Sequence, residues 1–526
     1  MNEQKNYDFT QLKAVAELKE LAKKPIDLTT DLLTPSRIEK MKMKGGDLTY
    51  LFGTERVDEE TLKAFEALAQ ESQAVAKMKK VQSGEVMNRI EGYPSEERQV
   101  LHTAMRDLFG QEAVPAPAET ARQFARKEHQ KLQAFLEKIE GENRFDTMVM
   151  VGIGGSDLGP QAVYIALAAH HLPGKKVVFI SNVDPDHQAI ALKGVGLKRT
   201  LVGIISKSGT TLETLTNEMI LREKFQQAGL NPKEHFIAIT EENSQMDNPE
   251  AYLERFHMKD YVGGRYSVFS MVGVVSLSFG VGYSVVKDML KGAYEMDRLA
   301  LSERLQDNLP LFAALVGIWN RTFLKHHTLA VIPYSQLLAR LPAHLQQLDM
   351  ESNGKSIDCH GRSLSFDSGP IVFGEPGTNG QHSFFQLLHQ GTTVVPIEFI
   401  GFKESACQDD LSVQGTHSQQ KLLANLFAQS LALATGQKSD NPNKRFQGNR
   451  PTHIVMAKRL TPHTLGQLIS YYEHKVAFQG LIWGINSFDQ EGVQLGKVLA
   501  TKILDAMKQK SEYPLGQALL NHVDAL

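Results

Sequence analysis

The sequence predicts an α/β protein built on doubly wound parallel sheets, with helices flanking them at both ends. Three observations predict it. From about Asp146, short apolar runs are each followed by a Gly- or Ser-rich turn and then a helical stretch, the pattern of strands covered on both faces by crossover helices. The same alternation returns after a helical region over about 285–324. The length of 526 residues exceeds what one ordinary core holds, which favours two large modules.

The first hundred residues read as helical. Asp58 is placed to cap a helix, Val57 and Leu62 to staple it, and Leu62, Phe65, Leu68 and Ala69 share one apolar face. The first strand set spans 147–153, 176–180, 201–205 and 235–239, with a long helix from Thr211 to about Ala228, ahead of Gly229. The second spans 328–332, 370–373, 394–399 and 452–456, interleaved with helices such as 383–390. No repeat in the sequence demonstrates duplication. Residues 436–444 are polar and turn-rich, hence a surface loop. The chain closes in a helix from about Thr461, broken near Gly484 and resumed after Gly492. The most apolar stretch, 271–286, is shorter than a bilayer span and carries serines and glycines, so a buried helix is expected.

A formal net charge of -3 and a pI near 6.7 give no overall electrostatic reason to bind nucleic acid or an anionic membrane. Two cysteines, Cys359 and Cys407, cannot form a disulfide framework and read as free thiols in a reducing compartment. Residues Met1 to Lys5 are polar and lack the apolar core of a secretory signal. A cytoplasmic location is therefore expected.

Chemistry concentrates in a few turns. Ser206-Lys207-Ser208-Gly209-Thr210-Thr211 follows a strand and opens a helix. Hydroxyls, a lysine and N–H groups at the positive end of a helix dipole suit a phosphate dianion, beyond what a capped turn needs. Gly152-Ile153-Gly154-Gly155-Ser156-Asp157 is a second strand-to-helix turn open to a ligand, yet Asp157 stands where the dinucleotide fingerprint requires glycine. Asn353-Gly354-Lys355-Ser356 ends like a P-loop, but Asp349 occupies the position of its first glycine. The pairs His170-His171 and His326-His327 lack the spacing and partners of a metal site.

Four further segments carry a specific resemblance. They are Asp260-Tyr261-Val262-Gly263-Gly264-Arg265-Tyr266-Ser267, the stretch from Gln347 through Glu351 to Lys355, Glu375 through His382, and Gly480 through Gln490 to Lys497. In this order they resemble the glucose-6-phosphate isomerase family, and the resemblance reaches back to about Ser95. It implies two sugar-isomerase (SIS-type) α/β domains, a smaller one over 111–285 bearing the phosphate loop, and a larger one over 1–110 and 286–526. It also implies interconversion of glucose 6-phosphate and fructose 6-phosphate through an enediolate, in glycolysis and gluconeogenesis, by a homodimer with shared sites and no metal or cofactor. Activity on mannose 6-phosphate as well is an open alternative. A regulator that merely binds sugar phosphate would need none of Glu351, Arg265, His382 and Lys497.

By this resemblance Glu351 is the base that moves the proton between neighbouring carbons, and Arg265 stabilises the enediolate. His382, paired with Glu213, and Lys497 open the sugar ring. An imidazole suits that role because the residue type titrates near neutrality. Gly155, Ser156, Ser206, Lys207, Ser208, Thr211, Gly264, Gln347 and Gln490 are expected to hold substrate. His389 reads as structural. Two departures from the family pattern stand out: Ser208-Gly209 where threonine and a bulky aromatic are common, and Gln494 where glutamate is. The first keeps a hydroxyl and gains backbone freedom, while the second removes a charge close to Lys497.

Overall fold

A computed structural model describes residues 7–509 and 512–524; the polar opening, Met1 to Lys5, lies outside them. The chain divides at Ser487–Phe488 into two compact units.

Near the N-terminus the expectation of helix alone is corrected. β1 (Lys42–Gly45) and β2 (Leu48–Leu51) form an antiparallel hairpin. Met43, Gly45, Leu48 and Tyr50 face inward while Lys42 and Lys44 face out, an alternation only four residues long on each side of the turn and too short to stand out. The following helix, α1 (Glu59–Glu71), begins as the sequence indicates, with the Asp58 carboxylate accepting from the Thr61 N–H at 2.8 Å.

After the long helix α2 (Ala116–Gly141) comes a five-stranded sheet. Its strands are β3 (Thr147–Val151), β4 (Lys176–Ile180), β5 (Thr200–Ile205), β6 (Phe236–Glu241) and β7 (Glu254–Met258), all parallel in the order β4-β3-β5-β6-β7. The helix α3 (Leu158–Ala166) follows β3, and α4 (Leu212–Gln227) follows β5. Val149, Val151, Val202, Ile204, Phe225 and Phe236 build one core of this sheet. β7 was not expected: as an edge strand carrying Glu254, Arg255 and His257 it shows no apolar run, the usual character of a protected edge.

The apolar stretch from Met271 splits at Gly282 into α5 (Met271–Val281), buried along its whole length, and α6 (Tyr283–Leu299). The second sheet contains β8 (Thr328–Pro333), β9 (Ile371–Phe373), β10 (Ile397–Phe402) and β11 (Thr452–Ala457), mutually parallel and extended by the N-terminal hairpin in the order β1-β2-β11-β10-β8-β9. β10 starts three residues later than expected because Pro396 has no N–H for the ladder. The first sheet lies wholly within 111–285 and the second wholly outside it.

The long helix α7 (Pro462–Trp483) packs on α6 and reaches β2, and every residue of it but His463 is buried. It ends where expected, with Gly484 in the left-handed region. α6 and α7 touch backbone to backbone: a Cβ on Gly466 would overlap the Met289 carbonyl, and one on Gly292 the His463 carbonyl. In the second unit, α8 (Gln494–Met507) is followed by α9 (Pro514–Asp524). Gly466→Ala should therefore force α6 from α7 and cost about 2–3 kcal/mol, as overpacking of a core does, read as a lower midpoint in chemical denaturation.

Candidate active site

The strand order places a crevice where successive crossovers diverge. β3 and β5 are neighbours, but the chain leaves β3 toward β4 and β5 toward β6 on the opposite side, and ligands settle outside the carboxyl ends of strands at such a point. The two turns singled out from sequence both lie there. Ser206 and Thr211 hold the 206–211 turn closed, their hydroxyls 3.0 Å apart, and Ser206 Oγ accepts the Gly209 N–H at 3.1 Å. Ser208 Oγ accepts the Thr210 N–H at 3.2 Å. Gly209 has φ +70, a conformation that a bulky side chain adopts poorly. Thr211 caps α4 without a side-chain bond, so N–H groups of its first turn are open to an anion.

Lys207 turns toward the next loop, its ammonium donating to the Asp260 carbonyl at 3.4 Å. Burial pushes it below the ordinary lysine range, reinforced by the charge of Arg98. Glu213 lies half-buried in the first turn of α4.

The loop after β7 meets the turn after β3. A Cβ on Gly155 would overlap the Gly264 backbone, so this approach requires glycine, and Ser267 Oγ donates across it to the Gly155 carbonyl at 3.3 Å. Ser156 is half-buried in the same turn. Arg265 follows at once and is 1% exposed. Its Nε donates to Ser352 Oγ at 2.7 Å, its Nη2 to the Ser487 carbonyl at 2.7 Å, and its Nη1 lies 3.4 Å from Glu351 Oε2. Glu351 ends a π-helical turn, Gln346–Glu351, and its side chain keeps 22% of its surface. Gln347, on the same turn, brings Nε2 to 3.3 Å from where a Cβ on Gly154 would stand, while its buried Oε1 has no hydrogen-bond partner among the described residues.

The single chain thus unites Gly155, Gly264, Arg265, Gln347 and Glu351 beside the 206–211 turn. It does not unite His382 with them. That histidine is exposed at the end of a short turn, Asn379–His382, and neither Glu213 nor Glu351 is among its partners within the described residues. Gln490 and Lys497 belong to the second unit, Lys497 in the first turns of α8. His389 bonds Gln429 Oε1 at 2.8 Å, a structural contact.

Sequence reasoning missed the residues that hold the site. Ser352 and Ser487 fix the guanidinium, and Tyr266 reaches Ser352 Oγ at 3.2 Å. Asp349 is buried and receives Asn353 Nδ2 at 3.2 Å. Burial pushes its carboxyl up to about 6, against the opposing charge of Lys475 and the Asn353 bond. All sit inside segments noticed for other reasons, but nothing about a serine or an asparagine in sequence declares what it will hold.

The model of the family described as phosphoglucose isomerase matches residues 51–515. The chain belongs to the phosphoglucose isomerase family. A glucose-6-phosphate isomerase of Protochlamydia amoebophila is 56% identical over 98% of this chain and 97% of its own length. One of Chlamydia pneumoniae is 49% identical over 96% of each. The crystal structure of a glucose-6-phosphate isomerase from Chlamydia trachomatis superposes with a TM-score of 0.95, at 46% identity over 99% of this chain and 100% of that one.

For a phosphoglucose isomerase the geometry offers a carboxylate beside a fixed guanidinium, on a sheet edge that can hold an anion. Gly155→Ala should part the Gly155 and Gly264 loops. Isomerase turnover is expected to fall roughly 100-fold, as small misplacements of reacting groups do, with the circular dichroism spectrum unchanged.

Proposed function

We propose that this chain interconverts glucose 6-phosphate and fructose 6-phosphate in the cytoplasm, in glycolysis and gluconeogenesis, as a homodimer with shared sites. The observation that carries the reading is the Arg265–Glu351 pair, 3.4 Å apart, next to the Gly155–Gly264 approach. An aldose–ketose isomerisation requires a base for a weakly acidic C–H proton and a cation for the enediolate oxygen that results. Glu351 takes the proton from one carbon and returns it to its neighbour. Arg265, already held by Ser352 and Ser487, meets the developing charge without reorganising. The 206–211 turn holds the phosphate, and Gly155, Ser156, Gly264, Gln347 and Gln490 hold the sugar.

Ring opening falls to His382 with Glu213, and to Lys497. The exposed position of His382, with no bond to Glu213 among the described residues, supports its acting in a partner's site. In a two-fold dimer the interface is isologous, so two equivalent composite sites would form. The division into a smaller domain, 111–285, and a larger one, 1–110 with 286–526, belongs to the same reading and is supported by the distribution of the two sheets.

Conversion of fructose 6-phosphate, followed by coupled oxidation of the glucose 6-phosphate produced, tests the activity directly. Glu351→Gln keeps the shape of the base but cannot accept the proton, so turnover should fall at least about 100-fold, the usual cost of losing a general base, with binding of substrate preserved. For the shared site, inactive His382→Ala and inactive Glu351→Ala chains are mixed and allowed to exchange. One site of each heterodimer would carry both substitutions and the other neither, so activity should return to as much as half of the sites. Verified heterodimers without activity would show that His382 serves its own chain.

A further inference from the structure

Among the acceptors that hold Arg265, Ser487 is itself held. The Ser487 carbonyl takes Arg265 Nη2 at 2.7 Å, and the Ser487 hydroxyl donates to Asn353 Oδ1 at 2.7 Å. Asn353 is fully buried. Its Nδ2 reaches Asp349 Oδ1 at 3.2 Å, the Val476 carbonyl at 3.2 Å and Gln479 Oε1 at 3.3 Å. The Val476 carbonyl can only accept, so it fixes which end of the amide is nitrogen, and Oδ1 is left to receive the serine. One side chain thereby joins the turn that ends in Glu351, the helix α7 and the segment that holds Arg265.

A second observation points the same way. Gly480, on α7, leaves the space that Ser487 fills: a Cβ there would overlap Ser487 Oγ and lie 3.2 Å from Asn353 Oδ1. The helix is thus shaped around this hydrogen bond.

We infer that Asn353 is a positioning residue for the isomerisation: its side-chain amide sets the Arg265 guanidinium against Glu351 through Ser487 and the Asp349 turn. This rests on the isomerase reading above. No other uncharged side chain of this length accepts from a hydroxyl at one end and donates to a carboxylate at the other. Asn353 touches no reacting atom; its effect passes through where Arg265 and Glu351 stand.

The test uses full-length Ser487→Ala, which leaves the carbonyl to Arg265 and removes only the hydroxyl, together with Asn353→Ser and the double variant. Ser487→Ala should lower kcat about tenfold, the effect of one hydrogen bond in a polar network, with KM for fructose 6-phosphate within about twofold. The double variant should be no slower than the slower single one, since both cut the same linkage. Folded Ser487→Ala with unchanged kcat, or with kcat and KM altered in proportion, would overturn the inference, as would losses that simply multiply. Wild-type chain that fails to convert fructose 6-phosphate would instead sink the isomerase reading.

Discussion

A guanidinium taken almost wholly out of water is the constraint around which this site is organised. Arg265 cannot shed its charge, and burying a cation without acceptors costs several kcal/mol. Its acceptors come from remote stretches of chain: Ser352 and Glu351 beside the second sheet, and Ser487 just beyond the long helix. Arg265 itself follows the last strand of the first sheet. Satisfying one charge therefore brings the edge of the first sheet against elements that pack on the second. Gly155 and Gly264 allow the approach at the level of the backbone, and Arg265 makes it electrostatically necessary.

The helix α7 extends the same logic inward. Although buried nearly throughout, it carries Glu473, His474 and Lys475 in succession, and each has a partner. Glu473 meets Arg106, whose guanidinium also takes both oxygens of Asp297, and His474 reaches Asp297 at 2.7 Å. Lys475 meets Glu398 on β10, and His453 bridges Glu398 and Glu55 at 2.8 and 2.6 Å. Burial alone would raise the Glu398 carboxyl, but Lys475 and His453 hold it well below the usual range. Its contribution to stability is present above the ordinary carboxylate pKa and lost as pH falls through the depressed one. Asp349 works in the opposite sense. Pushed up to about 6, it favours the folded state at acid pH, and that contribution fades as pH rises from near 4 through about 6. The two oppose each other in acid, and a buried polar helix is tolerated because its partners are supplied by the second sheet at Glu398 and by Arg106 and Asp297.

The sequence showed most of this frame and little of its wiring. Strands buried on both faces, such as β3 and β5, announce themselves as apolar runs, and Asp58 and Gly484 mark helix ends by local chemistry alone. β7 was hidden because an edge strand keeps its charges, and the β1–β2 hairpin because its alternation is brief. At the site, Arg265 and Glu351 were legible through motifs that flank them with glycines and polar residues. Ser352, Asn353 and Ser487 were not, since their significance lies in what the fold brings within 2.7 Å of them and no spacing along the chain encodes that. His382 differs again: sequence marks it, while the single chain leaves it exposed, with no bond to Glu213 among the described residues.

On the proposed isomerase reading, the two charged groups of the site are treated differently in keeping with the tasks it gives them. A group that stabilises a developing charge gains by being immobile, because reorganisation during the reaction would spend part of the stabilisation. Arg265 is 1% exposed, with two of its nitrogens bonded at 2.7 Å. A base that must reach two adjacent carbons needs access and some play. Glu351 keeps 22% of its side-chain surface and stands 3.4 Å from Nη1, beyond a tight charge-assisted hydrogen bond, so its oxygens are attracted without being locked. Its position at the end of a π-helical turn suits this, because the widened turn departs from regular helix where the carboxylate is presented. Rigidity is concentrated on the cation, and freedom is left at the carboxylate to which the proposed reading gives the proton.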